Sequence, residues 1–197
     1  MYSLFVDTAY KYLSIAILEG DKILASYSEE CFKKQSEKLF IVLDDLFTNN
    51  NLDRTKVNEV YITSGPGSYT GVRIAMTLAK VLCQTKKIDL YTISTLKLYA
   101  GNNPKTMAIM DARASRAYVG VYDKGKCLLE DQVLEISEID PKDYTVVLDG
   151  DLVGKENTVP DIINCFVECK NDFEKVDNIN HLLPKYLKES DAYYRWK

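Results

Sequence analysis

The residues of this chain that could do chemistry gather in one glycine-rich segment. Residues 64–73 read SGPGSYTGVR and join a predicted strand to a predicted helix. Such loops often bind phosphate, because glycines let the backbone approach an anion and a helix N-terminus offers unpaired N–H groups. The Lys-Ser or Lys-Thr pair that follows the last glycine of a P-loop is absent. A structural turn in which Ser68 or Thr70 caps the helix is therefore as good an interpretation as an anion site.

Two aspartates at strand ends extend this candidate site. Asp7 closes the first predicted strand and precedes Thr8, and Asp111 closes a strand in the second half of the chain. Paired carboxylates of this kind could hold Mg²⁺ beside a nucleotide phosphate, although aspartates at strand ends are more often turn or cap residues. The candidate nucleotide or anion loop consists of Asp7, Thr8, Gly65, Gly67, Ser68, Thr70, Gly71 and Asp111.

Few residues suit a metal ion. The five cysteines are scattered without a CxxC motif, and His181 is the single histidine. A structural zinc site usually needs four such ligands, and a disulfide framework usually shows an even, dense set of cysteines. We therefore predict reduced thiols and no metal site.

The composition is that of a folded acidic protein. Of 197 residues, 46% are hydrophobic and 27% are charged, far from the composition typical of disorder. The net charge of −4 gives no basic field to concentrate nucleic acid, so any RNA should be held by a partner. The start of the chain lacks the pattern of a signal peptide, and no apolar stretch approaches the ~18 residues of a membrane span. We expect a cytoplasmic protein without membrane contact.

The predicted elements form an α/β protein of two domains. The first domain, 1–102, has a three-stranded meander and then alternates helix and strand, with a helix cap near Ser36. After a break at residues 101–104, the second domain, 103–197, repeats this rhythm more weakly. The predicted strands are 2–6, 13–18, 22–28, 57–63, 90–93, 106–111, 116–123, 127–134 and 145–149. The predicted helices are 36–47, one that follows the glycine segment and ends near residue 85, and 178–189.

Two helices of the first domain are more apolar than one sheet requires. The second helix leaves only Arg73, Thr77 and Lys80 in a narrow polar strip, whereas sheet packing needs an apolar stripe somewhat over 100° wide. The surplus predicts half of a four-helix bundle, completed by another chain or by a second copy in a homodimer. The alternative is that the second domain covers these faces. The predicted partner interface is Leu39, Phe40, Leu43, Phe47, Val72, Ile74, Ala75, Leu78 and Leu82.

The glycine segment also carries a family resemblance. Residues 65–80, GPGSYTGVRIAMTLAK, closely resemble the GPGSFTGLRIG signature of the bacterial TsaB family, also named YeaZ. Further similarities follow in the family's order. They are Val6-Asp7-Thr8 to IDTS, Gln35–Leu39 to HSE-x-L, Ser94-Thr95-Leu96 to VSTLEAL, Asp111-Ala112-Arg113 with Tyr118 to DAR…Y, and Pro184–Lys188 to P-x-Y-x-R.

The resemblance implies a fold and a role. The fold would be two ribonuclease-H-like halves of the actin, sugar-kinase and heat-shock ATPase type, the second smaller and degenerate. The chain would be a non-catalytic scaffold and activator of a TsaD-type catalytic subunit, acting with a TsaE-type ATPase. That assembly places threonylcarbamoyl on the adenosine beside the anticodon of ANN-decoding tRNAs. The chain alone would bind no cofactor, ATP and Mg²⁺ would act in the complex, and tRNA would be reached through the complex.

Departures from the family pattern leave other readings open. Gln35 stands where the family commonly has histidine, and Ala9 replaces the glycine of the kinase phosphate loop, which hinders close backbone approach. An independent ATP-binding enzyme of the sugar-kinase-like fold is the main alternative. A metallopeptidase is a further alternative, but this chain has no HExxH motif. A direct tRNA-binding module would use Lys33, Lys34, Lys38, Arg54, Lys56, Lys86 and Lys87.

Overall fold

The computed structural model describes residues 1–31 and 33–187, which build a mixed α/β fold around two sheets. The first sheet has the order β10-β5-β4-β1-β2-β3, and the second has the order β8-β7-β6-β9. The strands are β1 (Tyr2–Asp7), β2 (Tyr12–Glu19), β3 (Lys22–Glu30), β4 (Val57–Thr63), β5 (Asp89–Ile93), β6 (Thr106–Arg113), β7 (Arg116–Asp123), β8 (Lys126–Glu135), β9 (Thr145–Leu148) and β10 (Glu174–Lys175). The α-helices of the described residues are α1 (Gln35–Asn49), α2 (Tyr69–Lys86), α3 (Thr95–Ala100) and α4 (Ile162–Cys169).

The predicted meander is confirmed. β1 pairs antiparallel with β2, and β2 pairs antiparallel with β3. Gly20 and Asp21 form the two-residue turn between Glu19 and Lys22, and Gly20 adopts the positive φ of +61° that such turns require. All six residues of β1 are buried, because β1 is central in the sheet and both faces of the sheet are covered.

Each face of the first sheet has its own core. α1 and α2 cover one face, where Leu39 and Val72 join side chains such as Leu4 and Val60. α3, α4 and the inner side of the second sheet cover the other face. There the rings of Phe5 and Phe166 stack with centroids 4.3 Å apart. No described helix has the length and apolar character needed to cross a membrane.

Helix boundaries differ from prediction in three places. The residue that precedes α1 is Lys34, without a side-chain cap, so the predicted cap near Ser36 is wrong. The short helices α3 and α4 were not predicted, since neither has enough turns for a clear periodicity. The helix predicted at 178–189 is wrong for its described part, where a 3-10 turn at Ile179–His181 precedes non-helical residues 182–187. Pro184 lacks an N–H and disfavours helix in the residue before it. Residues 188 and 189 lie outside the described residues.

The chain ends its described part on the first sheet. β10 pairs antiparallel with β5, and residues 176–187 then run along α2. We call residues 176–187 the C-terminal strap. Val176, Ile179 and Leu182 of this strap are half-buried against the same core as α2.

Candidate functional site

The glycine loop, residues 64–71, packs on the turn between β1 and β2. The backbone N–H of Ser68 donates a 2.8 Å hydrogen bond to the carbonyl of Ala9. The hydroxyl of Thr8 donates to the carbonyl of Gly71 at 2.6 Å and accepts from the N–H of Ala75 at 3.2 Å. The Ser68 side chain accepts from the N–H of Gly71 at 3.2 Å and so caps α2. Of the two predicted cap residues, Ser68 is the one that acts.

Two glycines of this loop are explained by contacts with the chain's own backbone. A Cβ at Gly67 would stand 2.4 Å from the carbonyl oxygen of Ala9, and one at Gly71 would stand 2.1 Å from that of Thr8. Real Cβ atoms do not approach a backbone oxygen so closely. At both glycines, the group that comes close to the loop backbone is thus a carbonyl of the turn between β1 and β2, which we call the first hairpin. A structural turn therefore explains both glycines without a bound phosphate.

A third glycine joins the loop to the rest of the molecule. Gly65 has φ +103°, follows Ser64 and precedes Pro66 through a cis peptide bond. Its carbonyl accepts from the N–H of Thr95 at 3.0 Å, and the Ser64 carbonyl accepts from the N–H of Lys185 at 2.7 Å. A Cβ at Gly65 would stand 2.9 Å from the Lys185 carbonyl oxygen. The loop is therefore held by α3 and by the C-terminal strap as well as by the hairpin.

Asp7 is fully buried beneath this loop. Its Oδ1 accepts from the Thr63 hydroxyl at 2.5 Å and from the Ala9 N–H at 3.1 Å, and its Oδ2 accepts from the Tyr99 hydroxyl at 2.7 Å. Burial raises the pKa of Asp7, against the lowering effect of these hydrogen bonds. Burial, with the charge of Asp7, also raises the pKa of Tyr99. Both carboxylate oxygens are engaged inside the protein.

Asp111 has different surroundings from Asp7. It is exposed, accepts from the N–H of Arg113 at 2.7 Å, and pairs with the Arg113 guanidinium at 3.3 Å. Its own N–H donates to Asp149 at 2.9 Å. The two carboxylates of the predicted Mg²⁺ site therefore have different partners: Asp7 accepts hydrogen bonds in the core, and Asp111 accepts one in a surface turn.

Asp149 is a buried site residue that sequence reasoning missed. Its Oδ1 accepts from the Tyr10 hydroxyl at 2.5 Å and from Lys11 Nζ at 2.8 Å, while Oδ2 accepts from the backbone of Asp111. Burial lowers the pKa of Lys11, but the bond and ion pair with Asp149 outweigh burial and raise it. Asp149 thus ties the first hairpin to the second sheet. Its place at the end of a predicted strand was the available signal.

Asp131 is a second missed carboxylate. It lies in β8, accepts from the Tyr122 hydroxyl at 2.5 Å and from the Ser94 hydroxyl, and pairs with Lys185 Nζ at 3.6 Å. Burial and the bond to Asp131 raise the pKa of Tyr122. A Cβ at Gly120 would stand 2.6 Å from Asp131 Oδ1, so this glycine makes room for the carboxylate. An acid within a predicted strand was the signal here.

The burial of side chains on α1 and α2 shows that part of the predicted partner interface is wrong. Four of its nine residues are buried in the chain's own core, so they offer no surface to another chain. These four are Leu39, Phe47, Val72 and Ala75. Apolar spacing shows which side of a helix is hydrophobic but not which part of that side the sheet covers, so spacing does not distinguish these four residues from accessible ones.

The other five predicted residues keep accessible surface. Leu43, Ile74, Leu78 and Leu82 are half-buried at the edge of the core, and Phe40 is 63% exposed. Ile41 and Val81, at 64% and 59%, are exposed apolar residues that were not predicted. Residues i, i+3, i+4 and i+7 of a helix share one side, so Ile74, Leu78 and Val81 form one stripe. We call Phe40, Leu43, Ile74, Leu78 and Val81 the apolar seam.

The basic residues of the predicted tRNA-binding surface lie at two ends of the helix pair. α1 begins near the first hairpin, where Gln35 donates to the Tyr10 carbonyl at 3.0 Å, so Lys33 and Lys34 lie at that end. Lys86 and Lys87 end α2, whose 18 residues span about 27 Å. The lysines at the start of α1 and those at the end of α2 therefore do not form a single basic patch. Residues 1–31 and 33–187 also contain no group of three or more His, Cys, Asp or Glu side chains suited to a metal ion.

Comparisons with known proteins agree with this architecture. A family model described as "TsaD: tRNA N6-adenosine threonylcarbamoyltransferase" matches residues 22–157. The "tRNA threonylcarbamoyladenosine biosynthesis protein TsaB" of Bacillus subtilis is 33% identical over 137 residues, covering 68% of this chain and 60% of that protein. The "Uncharacterized protein MG208" of Mycoplasma genitalium is 30% identical over 195 residues, covering 95% of each chain. The solved structure of "YeaZ from Pseudomonas aeruginosa" has a TM-score of 0.78 at 21% identity, covering 94% of this chain and 99% of its own.

The chain has a two-sheet α/β fold, and the threonylcarbamoyltransferase family model matches more than half of its residues. These two findings place the protein in the class of proteins that this model describes. Within that class, the chain belongs to the TsaB family, also named YeaZ. The matched part of the chain spans 60% of the length of the Bacillus subtilis relative.

Proposed function

We propose that this chain is a non-catalytic scaffold subunit that docks a TsaD-type catalytic subunit in the cytoplasm. The assembly would place threonylcarbamoyl on the adenosine beside the anticodon of tRNAs that read ANN codons. A TsaE-type ATPase would complete it, ATP and Mg²⁺ would act in the complex, and the tRNA would be bound through the complex. The biosynthetic pathway named for its TsaB relatives supports this proposal.

The observation that carries the docking role is the apolar seam. Phe40 and Val81 are more than half exposed, and Leu43, Ile74 and Leu78 flank them at helical spacing. Burying a large apolar side chain stabilises a complex by about 1.5–3 kcal/mol. Two neighbouring helices with such a seam suit the facing helices of a partner, as in a four-helix bundle.

The arrangement of the two sheets supports the ancestry implied by the resemblance. In the first sheet, the meander β1-β2-β3 has the parallel strand β4 beside β1. In the second sheet, the meander β6-β7-β8 has the parallel strand β9 beside β6. We infer two ribonuclease-H-like halves of the actin and sugar-kinase type. The second sheet is smaller, with four strands against six, and has no counterpart of β5 or β10 among the described residues.

The main rival, an independent ATP-binding enzyme, finds less support at the glycine loop. Gly67 and Gly71 face backbone carbonyls of the first hairpin, and both oxygens of Asp7 accept hydrogen bonds from the protein. These residues are the ones that the enzyme reading needs for phosphate and Mg²⁺. Turnover of Mg-ATP by the isolated wild-type chain would favour the enzyme reading over the scaffold.

The decisive experiment replaces one residue of the apolar seam and one matched residue elsewhere. Val81 is 59% exposed on α2, and Leu128 is 57% exposed on β8 of the second sheet. We expect Val81→Glu to weaken binding of the TsaD-type subunit of the same genome about a hundredfold in calorimetry, because the partner must bury the new charge. Modification of unmodified tRNA by the reconstituted complex should fall with it.

The control variant Leu128→Glu should bind and support modification like the wild type. Both variants should keep the wild-type melting temperature, because each position is exposed. Wild-type affinity in Val81→Glu, or an equal loss in Leu128→Glu, would remove the docking role from the apolar seam.

A further inference from the structure

The C-terminal strap covers one of the sides of α2 that the sheet leaves open, and the apolar seam lies on another. Arg73, Lys80 and Gln84 are spaced seven and four residues apart and therefore share one side of the helix. Lys80 Nζ donates to the strap carbonyls of Leu182 at 2.8 Å and Asn180 at 3.3 Å. The Gln84 amide donates to the Asn180 side chain. The polar strip of α2 is thus the binding surface for the strap.

The first turn of α2 is held by an aromatic contact with the end of the strap. The rings of Tyr69 and Tyr186 stack with centroids 5.5 Å apart. Arg73 Nε donates to the Tyr186 hydroxyl at 2.8 Å, and the guanidinium lies 3.9 Å from the centre of the Tyr69 ring. Contacts of this kind restrain both rings and the arginine in one geometry.

The strap is itself anchored at both ends to parts of the molecule other than α2. At its start, the N–H of Val176 donates to the Leu90 carbonyl of β5 at 2.8 Å. Near its end, the N–H of Lys185 donates to the Ser64 carbonyl, and Lys185 Nζ pairs with Asp131 of the second sheet. A segment fixed at both ends and bonded to α2 between them resists rotation of the helix about its axis.

We propose that the C-terminal strap is a positioning element that sets the rotation of α2 and so presents the apolar seam to the partner. At 100° per residue, the seam residues Ile74 and Leu78 lie on a different side of α2 from Arg73 and Lys80. The strap therefore acts on docking without occupying the seam. Tyr186 and Lys80 are the positioning residues, and the proposal rests on the docking role proposed above.

The test measures partner binding together with backbone hydrogen exchange of the free chain. Tyr186→Ala removes the ring stack and the bond to Arg73, Tyr186→Phe removes only the hydroxyl, and Lys80→Met removes the two bonds to strap carbonyls. We expect exchange in residues 69–86 of the unbound chain to accelerate at least about tenfold in Tyr186→Ala and Lys80→Met. Affinity for the TsaD-type subunit should fall about tenfold in both. Tyr186→Phe should recover most of each loss.

The matched control is Leu183→Ala, which changes a residue of the same strap that is 76% exposed. It should alter neither exchange nor affinity. Weakened binding with unchanged exchange would overturn the proposal, because Tyr186 would then contact the partner directly. Unchanged binding with faster exchange would also overturn it, because the order of α2 would not matter for docking. If the wild type itself fails to bind, the docking role fails, whereas the exchange data still decide whether the strap orders α2.

Discussion

The hydroxyl of Tyr10 donates a 2.5 Å hydrogen bond to Asp149, and this bond joins the first hairpin to the end of β9 in the second sheet. Lys11 adds an ion pair of 2.8 Å to the same carboxylate oxygen. Burial and the bond to Asp149 raise the pKa of Tyr10, so the phenol keeps its proton as donor. The two sheets are therefore connected by a buried charge as well as by the apolar core.

Removing the charge of Asp149 should weaken this connection. We expect Asp149→Asn to lower the free energy of unfolding by about 2 kcal/mol, because Lys11 loses its counter-ion. The loss is smaller than for a fully buried pair, since Lys11 is partly exposed. Urea denaturation of the two proteins measures it. Asp143→Asn, at an exposed position, is the control and should change the value by less than about 0.5 kcal/mol. Equal effects in the two variants would contradict the connection.

The close contact between the glycine loop and the first hairpin predicts a large effect of a single methyl group. Gly71→Ala should destabilise the chain by about 3 kcal/mol, because the Thr8 carbonyl must move to admit the Cβ. Gly20→Ala is a useful comparison, because its surroundings are open and only its positive φ opposes the change, at about 1 kcal/mol. Thermal or urea unfolding gives both values. A smaller loss for Gly71→Ala than for Gly20→Ala would refute the contact.

The buried carboxylate of Asp7 predicts a pH dependence of stability. Burial raises its pKa above the ordinary 3.8, so the folded chain keeps a proton that the unfolded chain has released. The free energy of unfolding must then fall as the pH rises through the interval between the two pKa values. Asp7→Asn cannot titrate, so the wild type should lose stability relative to it from about pH 4 upward. Urea denaturation at several pH values tests this, and a constant difference between the proteins would show that the pKa is not raised.

The apolar seam also predicts self-association of the free chain. Without its partner, the wild type should form a homodimer whose fraction rises with concentration in light scattering, because two copies can cover each other's seam. Leu78→Glu and Leu43→Glu should each give a monomer with a wild-type circular dichroism spectrum. Leu128→Glu, on the second sheet, should remain dimeric. Seam variants that stay dimeric would place the self-contact elsewhere.

Local sequence patterns predicted most elements of this fold. The meander, α1, α2 and the strands of the second sheet follow from periodicity and from turn residues such as Gly20, which act between neighbours in the chain. The helix predicted at 178–189 failed because its apolar residues serve an extended strap, in which Pro184 is acceptable. The short helices α3 and α4 are held by packing between the sheets, and such packing leaves little periodic signal.

The sequence by itself determined the α/β class, the meander, the two long helices and the family signature, because each depends on residues close together in the chain. Only the tertiary structure decided which sides of α1 and α2 remain accessible, since burial depends on the sheet and on a strap about a hundred residues away. It also decided that Gly67 and Gly71 serve the first hairpin, and that Asp149 and Asp131 join the two halves. A carboxylate connects the two halves through hydrogen-bond partners that are distant in the sequence. Neither the residue type nor the local spacing predicts which partners those are.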